Sequence, residues 1–320
     1  MAQKRESRKK GRHTATVLSN VRAGECFWKM RLRFSGEAAG VFARFQPGQF
    51  IEFDTSDLAI PATDSIPKAL LDGARRSVLL RRPFSFSDVT VQDDATIAEL
   101  LYCVVGPASL RMTTLRAGDV ASLIGPLGNG FTVAQGKRTA LLVVGGMGLP
   151  PIRCLARLLN TEHKEVETIA FIGARTVTAL PLEERPAAFE EGLSLSVPTF
   201  ATLGVPSMVA TDDGSAGHRG PVTECLTRWL QENADRDREK LIVYACGPER
   251  MLEAVARIAN DRQIACQVSM ERRMACGIGL CQSCAIECRI EGSNETVYKL
   301  CCQDGPVFDA REVVFGTETA

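Results

Sequence analysis

The chain has 320 residues, 38 basic and 38 acidic side chains and a formal net charge of zero, with 45% hydrophobic residues. That length suits two or three domains with substantial cores. The even charge balance excludes a global electrostatic footprint for nucleic acid, and no apolar run approaches the roughly 18 residues that a membrane-spanning helix needs.

Residues 1–13 are basic and polar and lack the apolar core of a signal peptide. A disordered, solvated tail on a cytoplasmic protein is expected, rather than a nucleic-acid arm. From 14 to 135 the pattern is β-like. Short alternating or apolar runs (14–18, 28–34, 49–53, 98–105, 120–124) are separated by Gly, Pro and Asp turns. This predicts an antiparallel β-barrel, interrupted by an insertion at 54–77 that holds Pro61, Pro67 and a weakly helical 68–76.

Three segments of this first domain carry ligand-binding chemistry. Arg82-Pro83-Phe84-Ser85 follows an apolar run and places a guanidinium, suited to a phosphate, three residues from a hydroxyl that can reach a flavin ring. Read alone, such an arginine is more often a surface residue. Gly106-Pro-Ala-Ser109 opens an expected helix at 110–115, with Ser109 at a phosphate-favouring helix start; an ordinary helix cap is the plainer reading. Gly125-Pro-Leu-Gly128-Asn-Gly130-Phe131 lets backbone approach a flat ligand, or simply links domains.

From 136 to 264 strands alternate with helices. Strands are expected at 139–144, 167–172 and 241–245, with a shorter segment at 208–210, and helices at 152–159, 221–230 and 249–260. The alternation predicts a doubly wound α/β domain. Gly145-Gly146-Met147-Gly148-Leu-Pro-Pro is a strand end, a glycine turn and a proline-started helix, suited to a diphosphate although it is not G-x-G-x-x-G. Cys246-Gly247-Pro248 repeats that plan and puts Cys246 at the carboxyl edge of the sheet, or buries it as a small apolar residue. Asp212 and Asp213 suit ribose hydroxyls and favour NAD, whereas Arg175 and Arg219 would suit a 2′-phosphate.

Residues 265–320 are rich in cysteine and glycine and end in an apolar run at 312–315, read as a strand. Cys276, Cys281 and Cys284, with Cys301 or Cys302 further on, form C-x4-C-x2-C…C, the spacing of plant-type [2Fe-2S] sites. Gly277 and Gly279 permit the tight wrapping that three converging thiolates require. A structural zinc site fits poorly, because only Cys281/Cys284 forms a C-x2-C pair. The chain has 12 cysteines. Those outside the motif are scattered, as reduced cytosolic thiols would be.

Together these segments resemble the ferredoxin reductase superfamily, and more closely the electron-transfer subunits of class 1B dihydroorotate dehydrogenases. Leu80-Arg-Arg-Pro, Gly125 to Phe131, Gly145 to Pro151, Phe171-Ile-Gly-Ala-Arg175, Thr211-Asp-Asp-Gly-Ser215, Gly217-His-Arg-Gly220, Met274 to Cys284 and Asp304-Gly-Pro-Val-Phe308 carry the likeness across most of the chain. The resemblance implies an FAD-binding barrel, an NAD(H)-binding domain and a small [2Fe-2S] domain. It implies FAD contacts from Arg82, Ser85 and Ser109, the last standing where the family usually has Thr. It implies Cys302 as fourth ligand, because Cys302 directly precedes Gln303-Asp304-Gly305-Pro306. The implied partner is an FMN-containing catalytic subunit that oxidises dihydroorotate in pyrimidine biosynthesis, in a heterotetramer. The basic tail and the 54–77 insertion depart from the pattern.

The cofactor logic is independent of the resemblance. NADH delivers two electrons as hydride, a cluster accepts one, and a flavin between them does both; no side chain need act as acid or base. The same module could serve another partner, as in an NADH-dependent ferredoxin:NADP oxidoreductase, a sulfide dehydrogenase or a hydrogenase. A zinc-stabilised binding protein without redox cofactors would be colourless.

Overall fold

The computed structural model describes residues 11–182, 189, 192–293 and 295–316. The expected basic tail is shorter than 1–13. Gly11, Arg12 and His13 already pair with Gly125, Ile124 and Leu123, because the edge of the neighbouring strand needs partners for its backbone groups. Residues 1–10 lie outside the described residues.

The first sheet is built from β1 (Gly11–Arg22), β2 (Phe27–Ser35), β3 (Phe50–Phe53), β4 (Arg82–Phe84), β5 (Asp88–Gln92), β6 (Ala95–Cys103) and β7 (Val120–Leu127). Its order is β4-β3-β7-β1-β2-β6-β5, and every pairing is antiparallel. The outer strands β4 and β5 are not paired with each other, so the sheet curls into a half-barrel rather than a closed barrel. Alternate residues such as Val17, Met30, Leu32, Phe34, Ile51, Phe53 and Leu123 fill its interior. Phe42 comes from α1 (Glu37–Phe42), a helix absent from the sequence reading, and stacks on Phe34 at 3.9 Å between ring centroids.

The insertion at 54–77 contains α2 (Leu71–Ala74) and is fastened to the sheet from α3 (Pro107–Met112). The buried Arg111 guanidinium donates to the carbonyls of Ser56 (3.4 Å), Leu58 (3.5 Å) and Arg76 (3.1 Å). The helix expected at 110–115 thus starts at Pro107, where a missing N–H is harmless. Its C-terminal carbonyls are held by Asn20, whose amide donates to Met112 O (2.8 Å) and Leu115 O (3.2 Å) and accepts from the buried Tyr102 hydroxyl (3.0 Å).

The second sheet contains β8 (Thr139–Gly145), β9 (Glu167–Ala174), β10 (Ser207–Thr211), β11 (His218–Arg219), β12 (Leu241–Cys246), β13 (Ala265–Ser269) and β16 (Val307–Asp309), in the order β11-β10-β9-β8-β12-β13-β16. All its pairs are parallel except β13 with β16. Helices α4 (Leu149–Glu162) and α5 (Pro198–Ala201) cover one face; α6 (Val222–Glu232) and α7 (Glu249–Asp261) cover the other. This is the doubly wound arrangement that the alternation predicts.

The C-terminal segment is less self-contained than the 265–320 boundary implies. β13 and β16 extend the nucleotide sheet, and only the hairpin β14 (Ala285–Arg289) and β15 (Thr296–Leu300) forms a sheet of its own. The strand expected at 312–315 is not formed. Val313 makes a single bridge to Cys288, and the strand lies earlier at β16. The three parts share one apolar core, which contains Phe50 and Leu127 of the half-barrel, Val143 and Val243 of the nucleotide sheet, and Cys284, Cys301 and Cys302. Among the described residues no helix is long and apolar enough to cross a membrane.

Candidate functional site: a flavin edge, a nucleotide edge and a cysteine loop

At the half-barrel's edge, two adjacent arginines have different duties. Arg81 pairs with Asp54 at 2.6 Å. Among the described residues the Arg82 guanidinium donates only to the carbonyls of Leu80 (2.8 Å) and Arg81 (3.1 Å), and no carboxylate lies within ion-pair reach of it. Unlike Arg81, Arg82 thus has no ion pair among the described residues. Pro83 and Phe84 follow on β4, with Phe84 edge-on to Phe53 and Tyr102. The Ser85 hydroxyl donates to the Gln49 carbonyl. Gln49, 1% exposed, accepts from the Gln46 N–H (2.8 Å) and donates to Gly128 O (2.9 Å). Gln49 thus joins two of the segments, Arg82–Ser85 through its backbone carbonyl and Gly125–Phe131 through its side-chain amide. The sequence reading takes Gln49 only as the first residue of the run 49–53, because its partners at Ser85 and Gly128 lie far along the chain.

Ser109 is 5% exposed. Its hydroxyl accepts from the N–H groups of Val105 (3.0 Å) and Gly106 (3.3 Å) and donates to Gly106 O (3.2 Å). Gly106 is the helix cap and Ser109 the third helical residue, reaching back to the cap's backbone, so Ser109 shapes the turn from within. At Gly106 a Cβ would meet open space.

The glycines of the other motifs divide by the same test. A Cβ on Gly128 would lie 2.6 Å from Pro306 Cδ, and one on Gly130 2.5 Å from Pro47 O. At Gly145 it would lie 2.6 Å from Met251 Sδ, and at Gly148 2.0 Å from Cys246 O. These four positions need glycine for protein packing. Gly146, with φ +49 and open space above it, is the member of its turn whose bare face is available to a ligand.

The Gly146 turn and the Cys246-Gly247-Pro248 turn stand side by side, because β8 and β12 are neighbours with Val144 opposite Cys246. Cys246 is partly exposed at the carboxyl edge, and burial pushes its thiol up to about 12, so it is an uncharged wall at neutral pH. Asp212 follows β10 on the same edge and is exposed; among the described residues its carboxylate has no hydrogen bond. Asp213 instead accepts from the Ser215 N–H (3.0 Å) and hydroxyl (2.6 Å).

The cysteine loop leaves the nucleotide sheet after β13. It is anchored by Arg272, whose guanidinium reaches both carboxylate oxygens of Glu249 at 2.7 and 3.2 Å. Gly277 (φ +66) and Gly279 (φ +90) make the left-handed turns that the wrapping needs. The thiols lie in two pairs, Cys281 beside Cys276 and Cys302 beside Cys284, and the Cys281 N–H donates to Cys276 Sγ (3.4 Å) and the Cys302 N–H to Cys284 Sγ (3.5 Å). Among the described residues no three His, Cys, Asp or Glu side chains converge as a single metal ion requires. Two pairs of sulfurs suit a two-iron cluster, in which four thiolates are shared between two irons. Cys281 is exposed, and the Ser283 hydroxyl holds its thiol well below the usual range, at about 6. Cys301 points away, its thiol donating to Met270 O at 3.3 Å. Cys302 is thus the one of that adjacent pair that faces Cys284.

Glu52 lies between the half-barrel and the cysteine loop. It is 1% exposed, and neither carboxylate oxygen has a hydrogen-bond partner among the described residues. A Cβ on Gly277 would lie 2.4 Å from Glu52 Oε1.

Comparison with known proteins accords with this geometry. Residues 271–314 match the iron–sulfur cluster binding domain of dihydroorotate dehydrogenase B, and residues 142–257 an oxidoreductase NAD-binding domain. The dihydroorotate dehydrogenase B (NAD(+)) electron transfer subunit of Geobacillus kaustophilus is 36% identical over 95% of this chain and 99% of its own. That of Caldanaerobacter subterraneus is 32% identical over 94% and 98%. The chain belongs to this family of electron-transfer subunits. Among solved structures, the NADH-dependent reduced ferredoxin-NADP oxidoreductase shares the fold with a TM-score of 0.68 at 23% identity, over 94% of this chain and 90% of that one.

Proposed function

We propose that this subunit takes electrons from NADH onto FAD and passes them singly through a [2Fe-2S] cluster to an FMN-containing catalytic subunit that interconverts dihydroorotate and orotate. The observation that carries this reading is the contiguity of three sites. One apolar core contains Phe50 and Leu127 of the half-barrel, Val143 and Val243 of the nucleotide sheet, and Cys284 and Cys302 of the cysteine loop, and the Asn129 amide of the glycine turn after β7 donates to Asp304 O, just past Cys302.

In this reading Arg82 holds the FAD diphosphate with its unpaired guanidinium, and the Gly106 turn, shaped by Ser109, offers backbone beside it. Pro83, Phe84 and Ser85 border the flavin ring. Gly146 admits the NADH diphosphate at the start of α4, and Gly145 and Gly148 bring the two nucleotide turns into register. Cys246, Gly247 and Pro248 border the nicotinamide without a charge. Asp212 receives ribose hydroxyls and repels a 2′-phosphate, which selects NADH over NADPH. Cys276, Cys281, Cys284 and Cys302 hold the cluster. When bound, the flavin supplies the conversion between two-electron and one-electron transfer; the protein binds, orients and excludes water. A heterotetramer with the catalytic subunit, in the cytoplasm, completes the proposal.

Co-expression with an FMN-containing dihydroorotate dehydrogenase catalytic subunit, followed by purification, tests it. The complex is expected to reduce orotate with NADH. A complex that carries flavin and cluster but shows no orotate-linked activity would contradict the partner assignment.

A further inference from the structure

Cys26 and Cys103 lie outside the cysteine loop, yet their sulfurs stand 2.9 Å apart, with the Cys103 thiol donating to Cys26. Both are partly exposed. The backbone enforces the approach. Phe27 of β2 faces Cys103 of β6, and the Val104 N–H donates to the Cys26 carbonyl at 2.9 Å. Arg22 braces the preceding turn by donating to the carbonyls of Gly24 (2.9 Å) and Glu25 (2.5 Å). A disulfide has sulfurs about 2.0 Å apart, so closure asks for a movement of less than about 1 Å. Little conformational freedom remains to be lost on bridging.

We propose that Cys26 and Cys103 form a thiol–disulfide couple, a modification site for disulfide oxidants of the glutathione class. The Cys26 thiolate attacks one sulfur of glutathione disulfide and releases one glutathione thiolate. Cys103 then gives up its proton, attacks Cys26 Sγ in the mixed disulfide and releases the second glutathione. Two protein thiols are oxidised and one glutathione disulfide is reduced to two glutathiones. The order follows from the surroundings: burial, with the neighbouring Cys26 sulfur, pushes the Cys103 thiol up to about 12, which suits it to resolve rather than to attack. The bridge would fasten the end of β6 to the β1–β2 turn. From Cys103 the chain runs directly into Val105 and Gly106, whose N–H groups bond to Ser109 at the start of α3.

Anaerobic holoprotein incubated with glutathione disulfide, quenched in acid, alkylated and mapped by mass spectrometry tests the couple. The expected result is a peptide linking Cys26 to Cys103, with two hydrogens lost per chain, no glutathione retained and iron content unchanged. In Cys103→Ser, Cys26 should keep one glutathione. In Cys26→Ser, Cys103 should remain alkylatable. Recovery of both wild-type thiols in alkylated form, or glutathione retained on wild-type Cys26 to the extent seen in Cys103→Ser, would overturn the proposal.

Discussion

The Asn129 side-chain amide donates to the Asp304 carbonyl at 2.8 Å, tying the glycine turn that ends the half-barrel to the segment directly after Cys302. The same amide reaches Gln303 O at 3.2 Å, and the Asn129 backbone N–H donates to Gly305 O at 2.6 Å. The glycine turn of the half-barrel and the segment after the cysteine loop are therefore held together directly.

Asn129→Ala removes both side-chain bonds and leaves the backbone bond. At about 1 kcal/mol for each net hydrogen bond, a loss of about 1–2 kcal/mol is expected. Urea unfolding and the rate of iron release to a chelator measure it. Release should quicken; a rate equal to wild type would show that the tie does not hold the loop.

Glu52 makes stability depend on pH. Burial raises its carboxyl from 4.5 to about 7, against the lowering influence of Arg82 and Arg81. The folded state then holds the proton more tightly than the unfolded state. Its contribution is fully present below about pH 4.5 and is lost as pH rises through 7. Each tenfold gain in proton affinity is worth about 1.4 kcal/mol, so the loss approaches about 3 kcal/mol. Unfolding midpoints between pH 5 and 8 should fall with this component in wild type and lose it in Glu52→Gln. Equal slopes in the two proteins would remove Glu52 as the cause.

Gly277 meets Glu52 in a way that separates two costs. A Cβ there would lie 2.4 Å from Glu52 Oε1, and φ is +66. Gly277→Ala should destabilise by more than the roughly 1 kcal/mol of left-handed strain alone. Gly277→Ala/Glu52→Ala removes the collision and should recover part of the loss relative to Glu52→Ala. Thermal melting of the single and double variants checks this, and strictly additive losses would refute the contact.

The adjacent cysteines predict opposite outcomes. Cys302→Ser should abolish the visible absorption of the cluster, because the Cys302 thiol lies beside that of Cys284. Cys301→Ser should retain it, because Cys301 bonds to Met270 O. Iron and sulfide assays on both variants decide the matter, and loss of iron in Cys301→Ser with retention in Cys302→Ser would reverse the assignment.

Local signals made much of this legible. The cysteine spacing, the strand–glycine–proline turns and the change from β-like to alternating pattern each depend on a few neighbouring residues, and they gave the three-part order. What they did not give depends on partners far along the chain. Glu52 reads as one residue of an ordinary strand until Gly277 is placed over it. Gln49 reads as the first residue of an expected strand, and Asn129 as a turn residue, until Ser85 and Asp304 arrive. Gly128 and Gly145 look like ligand glycines, but Pro306 and Met251 occupy the space that a side chain would need. β16 escaped because its edge pairing to β13 comes from the nucleotide sheet, whereas the more apolar run at 312–315 has only a single bridge.

The central claim is that this chain divides paired electrons from NADH into single ones held on iron. Anaerobic titration of the isolated subunit with NADH, followed by visible absorption and electron paramagnetic resonance, tests it most directly. The account predicts bleaching of a flavin band together with the signal of a reduced [2Fe-2S] cluster. Protein that contains neither iron nor inorganic sulfide, or that stays oxidised in excess NADH, would contradict it.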